Sequence, residues 1–345
     1  MTLLLAGDVG GTKTLLAIYA LDADGGLSLQ RQERYRSIEW ADFGGMVETF
    51  LEAGNERPSH GCLAIAGPVL DGRVTLTNLP WRLDEQELAT RVGLERLELV
   101  NDFAVQIYGL PHLGPEQQAP LIAGHPIETA PIAILGAGTG LGVAVGVPTS
   151  EGLKALATEA SHADFAPRNA IEWDLRQWLI ADLQLERVSI ERVASGTGLG
   201  HVFRWVLQQQ DGSDHPLSAT AQTWLQAQGN PGSGEAVTDL PAAVAASAEA
   251  GDPLARQALD LWLGAYGSAA GDLVLQTLCY GGLWLGGGTA GKLLSELRSP
   301  AFCEPLQAKG RMRRLVERVP VNALVDGHTG LFSAACRARM LRGLA

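Results

Sequence analysis

Gly7-Asp8-Val9-Gly10-Gly11-Thr12-Lys13 lies between two short apolar runs, Leu3–Ala6 and Thr14–Ala20, at the very start of the chain. Strand, glycine turn, strand is the simplest reading of that pattern. The same arrangement returns at Ile132–Leu135, Gly136-Ala137-Gly138-Thr139-Gly140-Leu141-Gly142 and Val143–Val147. Two such openings, about one lobe apart, predict a duplicated α/β architecture rather than a short repeat. Backbone amides gathered in a turn can grip a polyphosphate, and they need residues without side-chain bulk that tolerate positive φ. Gly10 and Gly11 supply this in the first turn, with the Thr12 hydroxyl and the Lys13 charge. Gly138, Thr139 and Gly140 supply it in the second. Together the turns predict a nucleotide held between two facing hairpins. Asp8 ends a buried strand, where an unpaired carboxylate is costly, and a hydrated Mg²⁺ would account for it.

Between and after these turns, strands alternate with helices, the mark of an α/β layer structure. Cys62–Ala66, Arg73–Thr77, Leu97–Val100 and Leu283–Leu285 read as strands. Helical spacing marks Phe43–Ala53, Asp84–Val92, Phe103–Leu110, 171–185, 254–280, Ala290–Leu297 and Gly330–Leu344. Gln208–Gly251, rich in Gln, Ala, Ser, Gly and Pro, reads as a loosely packed surface excursion without chemistry.

The bulk numbers bound the function. At 345 residues the chain has room for two lobes. A net charge of −12 argues against nucleic acid as a partner. Four scattered cysteines show no metal-ligand spacing and fit a reducing compartment. The apolar N-terminus lacks a basic flank, and no run reaches the ~20 apolar residues of a membrane span. A cytoplasmic protein with no membrane partner is expected.

Three further clusters bear on chemistry. Asn101-Asp102 closes a strand and opens a helix, where α/β ligand sites lie. Asp102 there is either a helix cap or a general base taking a proton from a hydroxyl that attacks a γ-phosphate. Glu159-Ala160-Ser161-His162, with Glu191 further on, offers donors and acceptors for a polyol, or else an ordinary surface turn. Gly286-Gly287-Gly288 would let an adenine ring lie on bare backbone. Its continuation to Lys292 nearly matches a P-loop, but Leu293 stands where Ser or Thr must hold Mg²⁺. The P-loop is therefore rejected. Gly196–Gly200 copies Gly138–Gly142 but follows no apolar strand, which favours a structural role.

In this order, the motifs resemble the bacterial glucokinase family, in the hexokinase branch of the actin-like ATPase (ribonuclease H-like) fold. The matching stretches are Gly7–Thr12, Ala64–Val69, Thr77–Trp81, Val100–Phe103, Gly136–Gly142, Glu159 with His162–Phe165, Glu191–Val193 with Ser195-Gly196, and Gly286-Gly287. The resemblance implies two α/β lobes with mixed sheets around a central cleft, residues 1–110 with 327–345 and residues 111–326. It implies ATP and Mg²⁺ as cofactors, glucose as substrate, Asp102 as base, and Asn101, Glu159, His162, Glu191 and Asn78 around the sugar. Asp8, Gly10, Gly11, Thr12 and Lys13 would form one phosphate site, Gly138, Thr139 and Gly140 the other, and Gly287 and Gly288 would lie near adenosine. A homodimer and a place in glycolysis are further implications. Two departures stand out: Ala160-Ser161 replaces the family's usual Gly-Gly, which strains Ala160 if the turn needs positive φ, and position 13 is Lys rather than Asn. A same-fold kinase for mannose or an amino sugar, and a non-catalytic sugar sensor, are the alternative readings.

Overall fold

The computed structural model describes residues 2–76, 78–229, 238–326 and 329–343. Thr77, 230–237 within the Gln208–Gly251 excursion, and Leu344 at the end of the expected last helix lie outside the described residues.

The opening meander consists of β1 (Thr2–Val9), β2 (Lys13–Leu21) and β3 (Leu27–Arg36). After it come β4 (His60–Ile65), a small ribbon of β5 (Arg73–Thr75) and β6 (Arg82–Asp84), and β7 (Arg96–Asn101). The main sheet runs β3-β2-β1-β4-β7, with β1, β4 and β7 mutually parallel. All six residues of β4 are buried, as a central parallel strand requires. The edge strand β3 escaped the sequence reading because its alternation is of charges, Arg31, Glu33 and Arg34 among them, rather than of apolar residues.

The second half repeats the plan with β8 (Gln118–Ile122), β9 (Ile132–Ala137), β10 (Leu141–Thr149), β11 (Gly152–Thr158), β12 (Gly282–Gly286) and β13 (Val321–Leu324). Its order is β11-β10-β9-β12-β13-β8. An antiparallel meander on one side and parallel strands on the other thus appear in both sheets. Both glycine turns fall at the first hairpin of their sheet, so the duplication read from the two turns is present in the strand order.

Three apolar clusters hold the layers. One joins β1, β4 and β7 to Phe43, Phe50 and Trp81. A second brings Leu4, Ala6 and Val100 together with Ile132, Ile134 and Trp284, and includes Leu331 and Ala335 of the last helix, Thr329–Met340. The third packs β9 and β12 against the helix Pro253–Thr277. That 25-residue helix is capped by Asp252, whose side chain accepts from the Ala255 amide. Its buried Trp262 donates Nε1–H to the Ser195 carbonyl at 2.7 Å, and Tyr266 donates its hydroxyl to the Leu135 carbonyl at 3.0 Å. One helix therefore fixes two segments that border the second glycine turn.

Three expectations need correction. The described residues of Gln208–Gly251 are not a loose excursion: they include the helices Ser218–Gly229 and Leu240–Glu249, with Trp224, Leu240 and Val244 buried. Its alanine-rich composition is that of a closely packed helix rather than a coil. Ala290–Leu297 is helical only over Leu294–Leu297. Phe103–Leu110 yields one α-turn, Gln106–Gly109, followed by a 3₁₀ turn whose Pro111 bars continuation.

Candidate active site

The first glycine turn bridges β1 and β2. The Gly10 amide bonds back to the Lys13 carbonyl at 3.0 Å. Ser37, which the sequence reading passed over, latches the turn from outside: its amide donates to the Thr12 carbonyl and its hydroxyl to the Gly10 carbonyl, at 3.1 and 2.7 Å. Gly10 and Gly11 do not adopt positive φ. A Cβ on Gly10 would press on the Lys13 carbonyl at 3.2 Å, whereas one on Gly11 would make ordinary contact with Asn78 Cβ at 3.4 Å. Asn78 is thereby placed beside the first turn.

Asp8 lies on β1 opposite Ala64 of β4, and Asp102 follows the end of β7, two strands away. Burial raises the pKa of both carboxyls. Lys13 opposes the rise at Asp8, whereas the Asp8 charge adds to it at Asp102. A carboxyl whose ionisation is opposed by burial and by a neighbouring carboxylate marks a site built to meet positive charge or a proton.

The capping reading of Asp102 is resolved by its neighbour. Asn101 Oδ1 accepts from the Phe103 and Ala104 amides at 3.1 and 3.0 Å, so Asn101 closes the turn. Its Nδ2 donates to the Gly67 carbonyl and to Asp102 Oδ1, both at 3.1 Å. Both donors and both lone pairs of the Asn101 amide are engaged within the protein, so a sugar hydroxyl would have to share one of them. The next residue, Phe103, sits against the second hairpin: a Cβ at Gly136 or Gly142 would come within 2.5 or 2.6 Å of its ring. Glycine at those two positions lets the Asp102 segment close onto the second sheet.

The second turn is braced by residues remote in sequence. Glu191 Oε2 accepts from the Leu141 amide at 2.9 Å. The Gly196 amide donates to the Gly138 carbonyl at 2.8 Å, and Gly196 opens the helix Gly196–Gln209, capped by Ser195. Gly287 has φ +80° and would place a Cβ 2.3 Å from the Ala137 carbonyl, whereas Gly288 faces open space. Gly138 and Gly140, like the first-turn pair, are not at positive φ. A cavity of about 590 Å³ opens beside this turn. Gly138, Thr139, Gly288 and Thr289 line it, together with Trp224, Ala242 and Glu249 from the helices Ser218–Gly229 and Leu240–Glu249. The copied Gly196–Gly200 motif was the signal for this wall, and Gly196 and Thr197 do line the cavity.

Glu159 and His162 stand together across the 3₁₀ turn Ala160–His162, with Oε2 and Nε2 3.6 Å apart and both side chains largely exposed. Neither Ala160 nor Ser161 adopts positive φ, so the departure from Gly-Gly brings no backbone strain. Among the described residues no group of three His, Cys, Asp or Glu is arranged to hold a metal ion, and no helix is long and apolar enough to cross a membrane.

Comparison with known proteins supplies the chain's family. The glucokinase family model matches residues 5–341. The glucokinase of Nostoc punctiforme is 39% identical over 344 residues, covering 99% of this chain and 100% of that protein. That of Chromohalobacter salexigens is 33% identical over 335 residues, covering 97% and 96%. The crystal structure of a glucokinase from an Antarctic psychrotroph superposes with a TM-score of 0.81 at 28% identity, covering 98% and 99%. A ROK family glucokinase from Streptomyces griseus, solved with glucose and AMPPNP, shares the fold at 21% identity and a TM-score of 0.56, covering 98% and 99%. With its two mixed sheets in the actin-like ATPase fold and a family match running from residue 5 to residue 341, the chain belongs to the glucokinase family.

Proposed function

We propose that the protein transfers the γ-phosphoryl group of ATP in line to the 6-hydroxyl of glucose. The observations that carry this are the half-buried Asp8 and Asp102 carboxyls, Asp8 at the first glycine turn and its charge felt by Asp102, and a nucleotide-sized cavity beside the second turn. Phosphoryl transfer is mostly positioning and charge stabilisation. Asp102 accepts the hydroxyl proton as the oxygen attacks. Glu159, His162 and Glu191 hold the sugar, with Asn78 and Asn101 at its edge. Asp8, Gly10, Gly11, Thr12 and Lys13 meet the outer phosphates, and Gly138, Thr139 and Gly140 the inner ones. Gly287 and Gly288 border the adenosine. Closure over the sugar excludes water and limits ATP hydrolysis.

Magnesium is tested by the donor set. It is usually bound through one or two carboxylates and the substrate's phosphates, keeping several waters. Asp8, with Asp102 nearby, fits that demand without a three-carboxylate cluster. When bound, Mg²⁺ would neutralise charge on the phosphates.

We further read residues 1–110 with 327–345 as one lobe and 111–326 as the other. The last helix supports this by packing against β1 and β4. A cytoplasmic homodimer acting in glycolysis, without nucleic acid or membrane partners, is the rest of the reading; family membership and the net charge of −12 support it.

A panel of glucose, mannose and glucosamine, scored by ADP release, tests the substrate. Glucose is expected to give the highest kcat/KM; a higher value for another sugar would replace it. The carboxylate pair adds a pH prediction. Asp102 must be ionised to act, so activity is lost as pH falls through its raised pKa, and the acid limb of kcat/KM is displaced upward from that of an ordinary aspartate. Asp8→Asn removes one cause of the rise and moves that limb to lower pH. An unmoved limb in the pH–rate profile would show that Asp8 does not influence the base.

A further inference from the structure

Three Gly-Thr steps converge on the cavity: Gly138-Thr139 in the second turn, Gly196-Thr197 at the start of the helix Gly196–Gln209, and Gly288-Thr289 after β12. The last two face the first in a specific way. Thr197 donates its hydroxyl to the Thr139 carbonyl at 2.7 Å, and Thr289 donates its own to the Ala137 carbonyl at 2.8 Å. The Thr289 amide reaches the same carbonyl at 3.2 Å, and the Gly196 amide takes the carbonyl between them, that of Gly138, at 2.8 Å. Three consecutive carbonyls of the turn are thus bonded to donors from two separate segments.

We propose that Thr197 and Thr289 are positioning residues that clip the second glycine turn from two sides and fix its backbone for the nucleotide's phosphates. The proposal rests on the reading of that turn as a phosphate site. Its physical basis is the polarity of the peptide group. A turn free to rotate its peptide planes exposes carbonyl oxygens, which repel a phosphate, as readily as amides, which attract it. Bonding the carbonyls of residues 137, 138 and 139 to protein donors removes that freedom before the ligand arrives, so less ordering remains to be done on binding. The glycines serve the same seating. A Cβ on Gly196 would stand 2.6 Å from the Gly138 carbonyl, so no other residue brings Thr197 this close. Gly138 itself has no protein atom within 4 Å of a built Cβ. Ser37 acts in the same manner on the first turn, with its amide and hydroxyl on the Thr12 and Gly10 carbonyls.

The test uses Thr197→Val and Thr289→Val, which keep the shape and remove the hydroxyl, with Thr197→Ser and Thr289→Ser as conservative partners. The loss of one neutral hydrogen bond is expected to raise KM for ATP, and Kd for a non-hydrolysable ATP analogue measured by calorimetry, about 3- to 10-fold in each Val variant. The Ser variants should bind as the unsubstituted protein does, and KM for glucose should not move. Val variants with normal nucleotide affinity overturn the clip. So do Ser variants as weak as Val, which would assign the effect to the methyl group, and a parallel rise in KM for glucose, which would mark general loosening. Gly138→Ala tests the underlying reading separately, because the added methyl meets open space and can obstruct only a ligand. If it binds nucleotide normally, the phosphate assignment of the turn fails. If it binds weakly while the Val variants bind normally, the clip alone fails.

Discussion

Asp102→Asn is expected to lower kcat by roughly 10²- to 10⁴-fold, the usual contribution of a general base, while the protein remains folded. The amide keeps the size of the carboxyl and can still meet the Asn101 side chain, but it cannot take the hydroxyl proton. Stability should not fall with it. Asp102 has its pKa raised by burial and by Asp8, so its ionised form is disfavoured in the folded protein. A raised folded-state pKa contributes stability that is present at low pH and lost as pH rises through that value. Near neutrality Asp102 therefore costs stability, and removing its charge relieves the cost. The thermal midpoint of Asp102→Asn at neutral pH should equal or exceed that of the unsubstituted protein. Steady-state kinetics and a melting curve on the same sample check both halves. A lowered midpoint would mean that Asp102 is there for structure.

The second large effect is expected at Gly287. Its φ of +80° is a conformation that residues with a side chain rarely adopt, and a Cβ would stand 2.3 Å from the Ala137 carbonyl, 2.5 Å from its carbon and 3.0 Å from its nitrogen. All three contacts are backbone, on the strand that leads into the second turn, so no rotamer change relieves them. The left-handed conformation costs about 1–2 kcal/mol, and forcing extra volume into packed structure adds about 1–3 kcal/mol. Gly287→Ala should therefore lose roughly 2–5 kcal/mol of stability. Because the obstructed strand leads directly into Gly138 and Thr139, nucleotide affinity should fall with it. Gly288→Ala is the matched control: its Cβ meets nothing within 4 Å, so its stability should be unchanged. Denaturant unfolding of the pair measures the difference, and equal stabilities would contradict the tight seating of β12 against the second turn.

Much of the proposed site was read from local sequence. Asp8, the two glycine turns, Asn101-Asp102 and the Glu159–His162 pair are sequence-local, and local motifs carry their geometry with them. The duplication of the fold was also legible, since each sheet begins with its own glycine hairpin. What the sequence hid was long-range. Nothing near Ser37, Thr197 or Thr289 announces that their hydroxyls end on carbonyls of a turn formed elsewhere in the chain. The glycines of the two turns were expected to supply positive φ, which none of Gly10, Gly11, Gly138 and Gly140 adopts; only Gly10 and Gly140 sit where a Cβ would crowd a neighbour, and that depends on atoms the folded chain brings near. The sequence around Ala242 and Glu249 reads as a loose excursion because small residues mark coil and close-packed helix alike. Tertiary burial of Trp224 and Val244 decided between the two.

The central claim is that one cleft moves a phosphoryl group from ATP directly to a glucose hydroxyl. Incubating the purified protein with γ-labelled ATP and following the label tests it most directly. The label should appear in glucose 6-phosphate in step with ADP, with little free phosphate and little turnover when glucose is left out. Label found in free phosphate regardless of sugar, or nucleotide bound without any glucose-dependent transfer, would contradict it.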